Sequence, residues 1–337
     1  MKTILELLKE TFSEWSKDKA SRLAAALAYY TVFSLAPLLI IVIAIAGSVF
    51  GEEAARGEIV GQIQGLVGKD GAEFIQTAIE NANKPDTGSI ASIISIVVLL
   101  FGASGIFAEL QDALNTVWEV QAKPERGLIN VIRNRFLSFT MVLGVGFLLL
   151  VSLVASAALA ATVNFFGHLL PPGLDFVWQV VNFIVSFVVT TVLFGLIYKV
   201  LPDVKIGWSD VWIGAAITSL LFSIGRYLLG QYLGNSSFGS TYGAAGSLVV
   251  VLAWVYYAAQ ILFFGAEFTQ VYARKYGSQI VPNKNAVFVT EEARTQQGMK
   301  PNQNQQTGRG SDKSRSPNLI NRLFRSFNQS KRSNRRR

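Results

Sequence analysis

Cysteine is absent from the 337 residues of this chain, and histidine occurs once, as His168. The absence of cysteine excludes disulfide bonds, thiolate metal ligands and cysteine catalysis. Charged side chains are also scarce, at 15% of the residues against roughly 25% in a typical soluble domain. Hydrophobic residues account for 51% of the sequence instead. Because they gather in long runs, the sequence predicts an integral membrane protein.

Six apolar runs are long enough to cross a bilayer. Each has about 20 or more mostly apolar residues, enough for a helix rising 1.5 Å per residue to cross a hydrocarbon core of roughly 30 Å. Backbone polar groups inside a bilayer need internal partners, so the runs should be helical. The predicted spans are about 23–50, 89–108, 138–162, 177–200, 208–232 and 243–271. The expected fold class is an all-α integral membrane protein with six transmembrane helices.

Connections rich in lysine and arginine alternate along the chain with connections that are poor in them. The N-terminal segment, the connections after the second and fourth spans, and the C-terminal tail are rich in them, whereas the opposite set holds only Arg56, Lys69 and Lys84. Positive connections stay on the cytoplasmic side of a membrane. The pattern therefore predicts that both termini are cytoplasmic.

Three segments outside the spans carry helical signals. Residues 1–22 form a predicted amphipathic cytoplasmic helix, whose apolar face suits the inner membrane surface and contains Ile4, Leu5, Leu8, Phe12 and Trp15. The outer connection, about 51–88, has two apolar stripes separated by "GKDG", which predicts a helical hairpin. The segment "AELQDALNTVWEV" favours a cytoplasmic helix. With these additions, the six-helix membrane domain is expected to cover residues 23–276.

Residues 277–337 differ from the rest in composition. They are polar, basic and of low complexity, so a disordered cytoplasmic tail is expected. Within the tail, residues 318–328 place apolar side chains at helical spacing between arginines, which predicts an inducible amphipathic helix. Membrane lipids with anionic headgroups are the expected partners of the basic tail. Protein partners stay open, and nucleic acid is the less favoured alternative although a basic run attracts any polyanion.

Three blocks resemble a known family: "ALAYYTVFSLAPLLIIV" at 26–42, "ELQDALNTVWEV" at 109–120 and "YGAAGSLVVVLAWVYYAAQILFFGAEFTQVYA" at 242–273. They are similar to the signature blocks of the YihY/BrkB family of bacterial inner-membrane proteins. The resemblance covers about residues 5–275 and leaves the tail outside. It implies a six-helix protein of the bacterial cytoplasmic (inner) membrane with both termini inside. It implies no settled activity, although members have carried the label ribonuclease BN.

Two enzymatic interpretations lack the residues that they require. A metal-dependent nuclease needs clustered histidine and carboxylate ligands, but the one histidine, His168, lies in a predicted outer connection. The segment "GASG" at 102–105 matches the GxSG motif of rhomboid proteases, yet no predicted span supplies a histidine base for Ser104. Gly102 and Gly105 suit close helix packing better. We therefore expect no enzymatic activity, no cofactor and no bound metal.

Polar residues inside the spans are the remaining functional signal, because such residues are costly in a bilayer. The fifth span places Ser219, Ser223 and Arg226 on one stripe. The full set of candidates for a transport path or polar core is Arg226, Ser219, Ser223, Tyr256, Gln260, Glu267, Tyr30, Ser34 and Pro37. Ser240, Thr241 and Tyr242 are candidates for an outer vestibule, with a simple interfacial turn as the alternative.

Depth separates the two charged candidates. Arg226 lies about 22 Å from the inner boundary by helical rise, whereas Glu267 falls close to that boundary, so they should not pair. Arg22, Lys199 and Lys205 are better placed as partners of Glu267.

Two hypotheses follow from these candidates. The first is a transporter or exporter of an anionic solute or amphiphile, lipids included. The alternative is a non-transporting membrane scaffold or envelope-integrity factor. A cavity connecting Arg226 to one face would favour transport, and a tightly packed bundle would favour the scaffold.

Overall fold

The computed structural model describes residues 2–82, 89–123, 175–234, 244–277, 280–296 and 298–299. The helices are α1 (Lys2–Lys17), α2 (Ala20–Phe50), α3 (Glu52–Ala82), α4 (Ser89–Val117), α5 (Asp175–Val200), α6 (Trp208–Gly234), α7 (Ala244–Tyr276) and α8 (Glu291–Gln296). The strands are β1 (Val120–Ala122), β2 (Val204–Lys205), β3 (Val281–Pro282) and β4 (Ala286–Phe288). The chain divides into two compact units, of which the first ends at Val289 and the second contains α8.

Four helical segments in the described part of the chain are long and apolar enough to cross a membrane. They are Ala20–Ser48, Phe183–Val200, Trp208–Leu229 and Gly246–Tyr276, and they correspond to the predicted first, fourth, fifth and sixth spans. Their outward faces carry exposed apolar side chains, among them Ile184 and Val249, as lipid contact requires. The predicted second span lies within α4, and the third, 138–162, lies outside the described residues. The total of six spans stays a prediction.

Helices α2 and α4 approach each other through two glycines of α4. A Cβ atom at Gly102 would lie 3.1 Å from Cγ of Pro37, and one at Gly105 would lie 3.1 Å from Oγ of Ser34. Both distances are tighter than ordinary van der Waals contact. Small residues permit such close approach between membrane helices, so the "GASG" segment is a packing surface in this fold.

Helices α6 and α7 pack in a similar but reciprocal way. Gly214 of α6 faces Thr269 of α7, and Gly265 of α7 faces Thr218 of α6. A Cβ atom at either glycine would overlap the facing threonine side chain. Because the two Gly-xxx-Thr pairs run in opposite directions, they fix α6 and α7 as an antiparallel pair.

Helix α3 is bent at the position predicted for the hairpin turn. Gly68 has φ of +78°, which interrupts the helix and suits glycine because it has no Cβ atom. On either side of the break, Ile59, Val67, Ile75 and Ile79 are buried in the main apolar core. We call this end of the bundle the hairpin end, and the end that holds α1 and the last turn of α7 the terminal end.

Helix α1 divides its surface into three faces. One face is buried against the bundle through Leu7, Thr11 and Glu14. A second face carries the predicted apolar residues, of which Leu5 and Phe12 are 71% and 61% exposed. The third face is polar and exposed. Most of the apolar face predicted to contact the membrane is therefore exposed, whereas Trp15 at its edge packs against the core.

Ion pairs hold α1 to the last turn of α7. Arg274 lies 2.7 Å from Glu10 and 3.5 Å from Glu14, and Lys275 also pairs with Glu10. Partial burial opposes ionisation of Glu10, but its hydrogen bonds with Lys275 and Arg274 outweigh this effect and lower the pKa of the carboxyl. The contact is therefore electrostatic as well as apolar.

The chain after α7 is ordered beyond the predicted boundary at residue 277. Strand β3 pairs antiparallel with β2 in the α5–α6 connection, and β4 pairs antiparallel with β1 after α4. The backbone N–H of Val289 also donates to the carbonyl of Glu119, at 2.9 Å. Residues 281–289, which the sequence analysis placed in the tail, are therefore held by backbone hydrogen bonds. Strands of two or three residues are too short to show a periodic pattern in the sequence. Residues 300–337, including the predicted helix at 318–328, lie outside the described residues.

Candidate functional site

Arg226 lies at a large open cavity near the hairpin end. The cavity has a volume of about 780 Å³. Its described lining comes from α3, α5 and α6 and consists of Gly65, Phe183, Leu220, Ser223, Ile224, Arg226, Tyr227 and Leu228. A guanidinium group and two hydroxyl groups thus share the cavity with a mostly apolar wall. We call it the Arg226 cavity.

The predicted polar stripe of α6 leads from the core to this cavity. Ser219 is fully buried, Ser223 is half-buried and Arg226 is exposed. The hydroxyl of Ser223 donates to the carbonyl of Ser219 at 2.8 Å, so its proton is used within the helix. The hydroxyl of Ser219 has no hydrogen-bond partner among the described residues. Ser223 and Arg226 are therefore brought together at the cavity, whereas Ser219 lies beneath it.

The candidates on α7 lie elsewhere. Gln260 lines a separate groove of about 330 Å³, together with Tyr257 and with Phe12 and Trp15 of α1. Tyr256 is 38% exposed on the outer surface of α7. The structure therefore does not bring Gln260 or Tyr256 to the Arg226 cavity.

Glu267 is fully buried near the terminal end. One predicted partner, Lys199, instead donates to the carbonyl of Ile206 and lies 5.4 Å from the ring centre of Trp208. A second, Lys205, is exposed in β2. The pairing of Glu267 with a basic or hydroxyl group of α2 or α5 stays a prediction.

The candidates on α2 contact α4. Ser34 and Pro37 face the glycines of α4 described above, and the ring of Tyr30 approaches Gly105. Packing between α2 and α4 therefore accounts for the polar residues predicted as candidates on α2. The predicted vestibule residues Ser240, Thr241 and Tyr242 lie outside the described residues.

A second, partly open cavity, of about 300 Å³, lies between the helices of the bundle. We call it the central cavity. Its lining comes from α2–α7 and is almost entirely apolar: Leu27, Thr31, Leu35, Leu39, Ile63, Val67, Ile75, Ile106, Leu110, Phe194, Phe222, Val251, Trp254, Val255, Ala258, Ala259 and Leu262. Sequence reasoning did not find it, because a void between helices depends on how side chains from six segments fit together.

The side chains of Tyr198 and Asn115, which the sequence analysis did not single out, form hydrogen bonds that join different elements of the bundle. The hydroxyl of Tyr198 in α5 donates to the carbonyl of Leu262 at 2.7 Å and lies 3.0 Å from the hydroxyl of Thr218. At the terminal end, the side chain of Asn115 exchanges hydrogen bonds with Asp203, at 3.1 Å to the carboxylate and 2.7 Å from the backbone N–H. A tyrosine late in an apolar run was the only available signal for the first group.

The terminal end also carries carboxylates near Asn115. Burial raises the pKa of Glu109, and the nearby charge of Asp112 adds to the shift. Within the described ranges, no three histidine or acidic side chains are placed to hold a metal ion.

Long apolar helices, exposed apolar outer faces and a buried polar framework define a multi-helix membrane protein. Its family follows from comparison with known proteins. The chain belongs to the family described as Virulence factor BrkB, whose model matches residues 11–289. That match includes β3 and β4, beyond the residue 275 at which the sequence resemblance was expected to end.

Individual relatives carry the name UPF0761 membrane protein. One from Teredinibacter turnerae is 27% identical over 82% of this chain and 63% of its own length. Another from Mannheimia succiniciproducens is 25% identical over 80% of this chain and 90% of its own. A third, from Halorhodospira halophila, is 27% identical over 81% of this chain and 59% of its own. The chain thus spans less than two thirds of the first and third relatives. No solved structure matches.

Proposed function

We propose that this protein binds an anionic amphiphile, an acidic lipid in particular, and moves it within or out of the membrane. The observation that carries the proposal is the Arg226 cavity, which combines one exposed cation with apolar walls. A guanidinium group binds phosphate or carboxylate oxygens through two parallel hydrogen bonds. Phe183, Leu220 and Leu228 offer the apolar surface that an amphiphile needs and a hydrated inorganic ion does not.

The position of Arg226 in the helix supports a functional role. On insertion scales, placing an arginine at the centre of a span costs up to about 2.5–3.5 kcal/mol, and placing it near the end of a span costs less. Arg226 lies near the hairpin end of the segment Trp208–Leu229, where its side chain can reach headgroups. The guanidinium group can therefore contact a lipid headgroup, while the apolar wall of the cavity contacts the hydrophobic part of the same lipid.

The proposal includes a location and an energy source. In the proposed orientation both termini are cytoplasmic, the protein lies in the inner membrane, and the basic tail contacts anionic headgroups. The sequence contains no nucleotide-binding motif. Movement against a gradient would therefore use an ion gradient or a partner ATPase.

A flux assay in proteoliposomes tests the proposal. Fluorescent phosphatidylglycerol and phosphatidylcholine are placed in one leaflet, and their appearance in the other is followed for the wild type, Arg226→Ala, Arg226→Lys and Lys69→Ala. We expect protein-dependent flux of the anionic lipid, reduced at least tenfold in Arg226→Ala and partly retained in Arg226→Lys, because the charge persists without the guanidinium fork. Lys69→Ala removes another exposed cation that does not line the cavity, so it is the matched control.

Absence of protein-dependent flux would contradict transport. Full activity of Arg226→Ala, or an equal loss of flux in Lys69→Ala, would contradict the role proposed for Arg226. Melting and gel filtration of each variant separate function from folding. If Arg226→Ala lowers the yield of folded protein in proportion to flux, Arg226 is structural.

The second candidate function is a non-transporting scaffold. It is favoured by the interlocked glycines and threonines of α6 and α7 and by the close contact of α2 with α4. Under this hypothesis the polar residues of the spans join helices, and the proteoliposomes show no flux although the protein is folded.

A further inference from the structure

We infer that the central cavity binds one acyl chain of a membrane phospholipid. The inference deepens the proposed function by giving the apolar part of the amphiphile a site, and it rests on that function for its connection with Arg226. The chemistry of the cavity carries the argument. Among the lining residues that the structure describes, only Thr31 and Trp254 bring polar side-chain atoms, and the Thr31 hydroxyl already donates to the carbonyl of Leu27 at 2.7 Å.

Such a lining selects an alkyl chain. A buried water needs two to four polar partners, and an apolar cavity does not supply them. A hydrated ion or a sugar would lose its hydrogen bonds to solvent without replacement. An empty cavity, in turn, would forfeit the dispersion contacts that a close-packed interior makes. A flexible hydrocarbon chain restores those contacts without needing a polar group.

The length of the cavity also fits. Along α2 its lining runs from Leu27 to Leu39, which is twelve residues, or about 18 Å of helix. One leaflet of a bilayer contributes about half of a hydrocarbon core of roughly 30 Å. An acyl chain lying parallel to α2 would therefore extend through most of the cavity. At the hairpin end the cavity is bounded by Ile63 and Val67 of α3.

The same helical segments bound both cavities. Ile63 and Val67 line the central cavity, and Gly65 between them lines the Arg226 cavity. On α6, Phe222 lines the central cavity and Ser223 lines the other. The two cavities are therefore neighbours that share α3 and α6 as walls. A phospholipid bound at Arg226 would pass one chain between these two helices to reach the central cavity.

Photo-cross-linking of the full chain in proteoliposomes tests the site directly. The bilayer contains a phospholipid with a diazirine in the middle of one acyl chain, and labelled residues are mapped by mass spectrometry. We expect labels on Thr31, Leu35 and Val255. Ala259→Leu and Ala258→Leu add volume inside the cavity and should reduce these labels at least fivefold. Ala253→Leu makes the same change on the exposed surface of α7 and should leave them unchanged.

Several results would overturn the inference. Labels confined to outward residues such as Val249 would do so, as would undiminished labelling in both cavity-filling variants when they are folded by melting and gel filtration. A parallel arm with diazirine-bearing free fatty acid tests the source: cavity labelling by the fatty acid alone rejects a phospholipid.

The outcome is separable from that of the flux assay. Cavity labels without flux would support the acyl-chain site and reject transport. Arg226-dependent flux without cavity labels would reject the site and leave the proposed function in place.

Discussion

Two glycines set a close contact between α6 and α7. Gly214 and Gly265 each face a threonine of the opposite helix, and neither position has space for a Cβ atom. Thr218 and Thr269 turn their hydroxyl groups to the carbonyls of Gly214 and Gly265 of their own helices, both at 2.7 Å. Their side chains are therefore held by their own helices, and they cannot move aside without breaking a hydrogen bond.

Larger side chains at these glycines should destabilise the protein. Gly214→Val and Gly265→Val force α6 and α7 apart, and overpacking of this kind costs about 1–3 kcal/mol. Thermal unfolding in detergent measures the effect. Gly61→Ala is the matched control, because nothing lies within 4 Å of its Cβ position, and alanine in a helix should stabilise by up to about 1 kcal/mol. Equal melting of all three variants would show that the helices are not locked at this contact.

Glu267 provides a second test at the scale of a single residue. It is fully buried, and an ionised carboxylate at such a site needs a partner. Glu267→Gln keeps the shape and hydrogen-bonding capacity and should cost below about 1 kcal/mol if the partner is a hydroxyl group. If the partner is basic, both Glu267→Gln and Glu267→Leu leave it without a counter-charge and should cost about 3–5 kcal/mol. The same unfolding assay compares the two, and a glutamine variant as stable as the wild type would exclude a basic partner.

Among whole elements, the helices that contain long apolar runs were predicted correctly. The helices α2, α5, α6 and α7 begin within about three residues of the predicted spans, because long apolar runs leave few alternatives in a bilayer. The break of α3 was predicted from "GKDG", in which Gly68 supplies the positive φ. Strands β1–β4 were missed, since two or three residues show no period and their pairing depends on partners far along the chain.

Helix α1 is the element whose environment can be measured most directly. Its buried face binds the bundle, its apolar face is exposed and its polar face is exposed, so lipid, protein and water should each contact one side. Nitroxide labels at Leu5 and Leu8 should be more accessible to oxygen than to a water-soluble nickel complex. Labels at Glu6 and Ser13, both exposed on the polar face, should show the reverse. Equal accessibility at all four positions would mean that α1 does not lie at the membrane surface.

For the molecule as a whole, the sequence predicted the membrane class and several polar candidates but not how they assemble. Arg226 and Ser223 meet at one cavity, as their shared stripe indicated. Gln260 and Tyr30 were grouped with them because each lies in a span. Helical spacing gives the face of one helix but not the neighbour that the face meets. The neighbours were decided by small residues such as Gly105 and by the Tyr198 hydroxyl, which joins α5 to α6 and α7.

Topology is the prediction that concerns the whole chain, and the absence of native cysteine makes its test clean. Single cysteines at Lys9, Lys69 and Gly310 are labelled in intact cells with a membrane-impermeant maleimide, before and after permeabilisation of the inner membrane. Lys9 and Lys69 are both exposed on their helices, so their labelling reports the side of the membrane rather than burial. If charge sets the orientation, Lys69→Cys reacts in intact cells, whereas Lys9→Cys and Gly310→Cys react only after permeabilisation. Reaction of Gly310→Cys from outside, with Lys9→Cys still protected, would require an odd number of spans. Reaction of Lys9→Cys and Gly310→Cys from outside, with Lys69→Cys protected, would invert the orientation and place the Arg226 cavity at the cytoplasmic face.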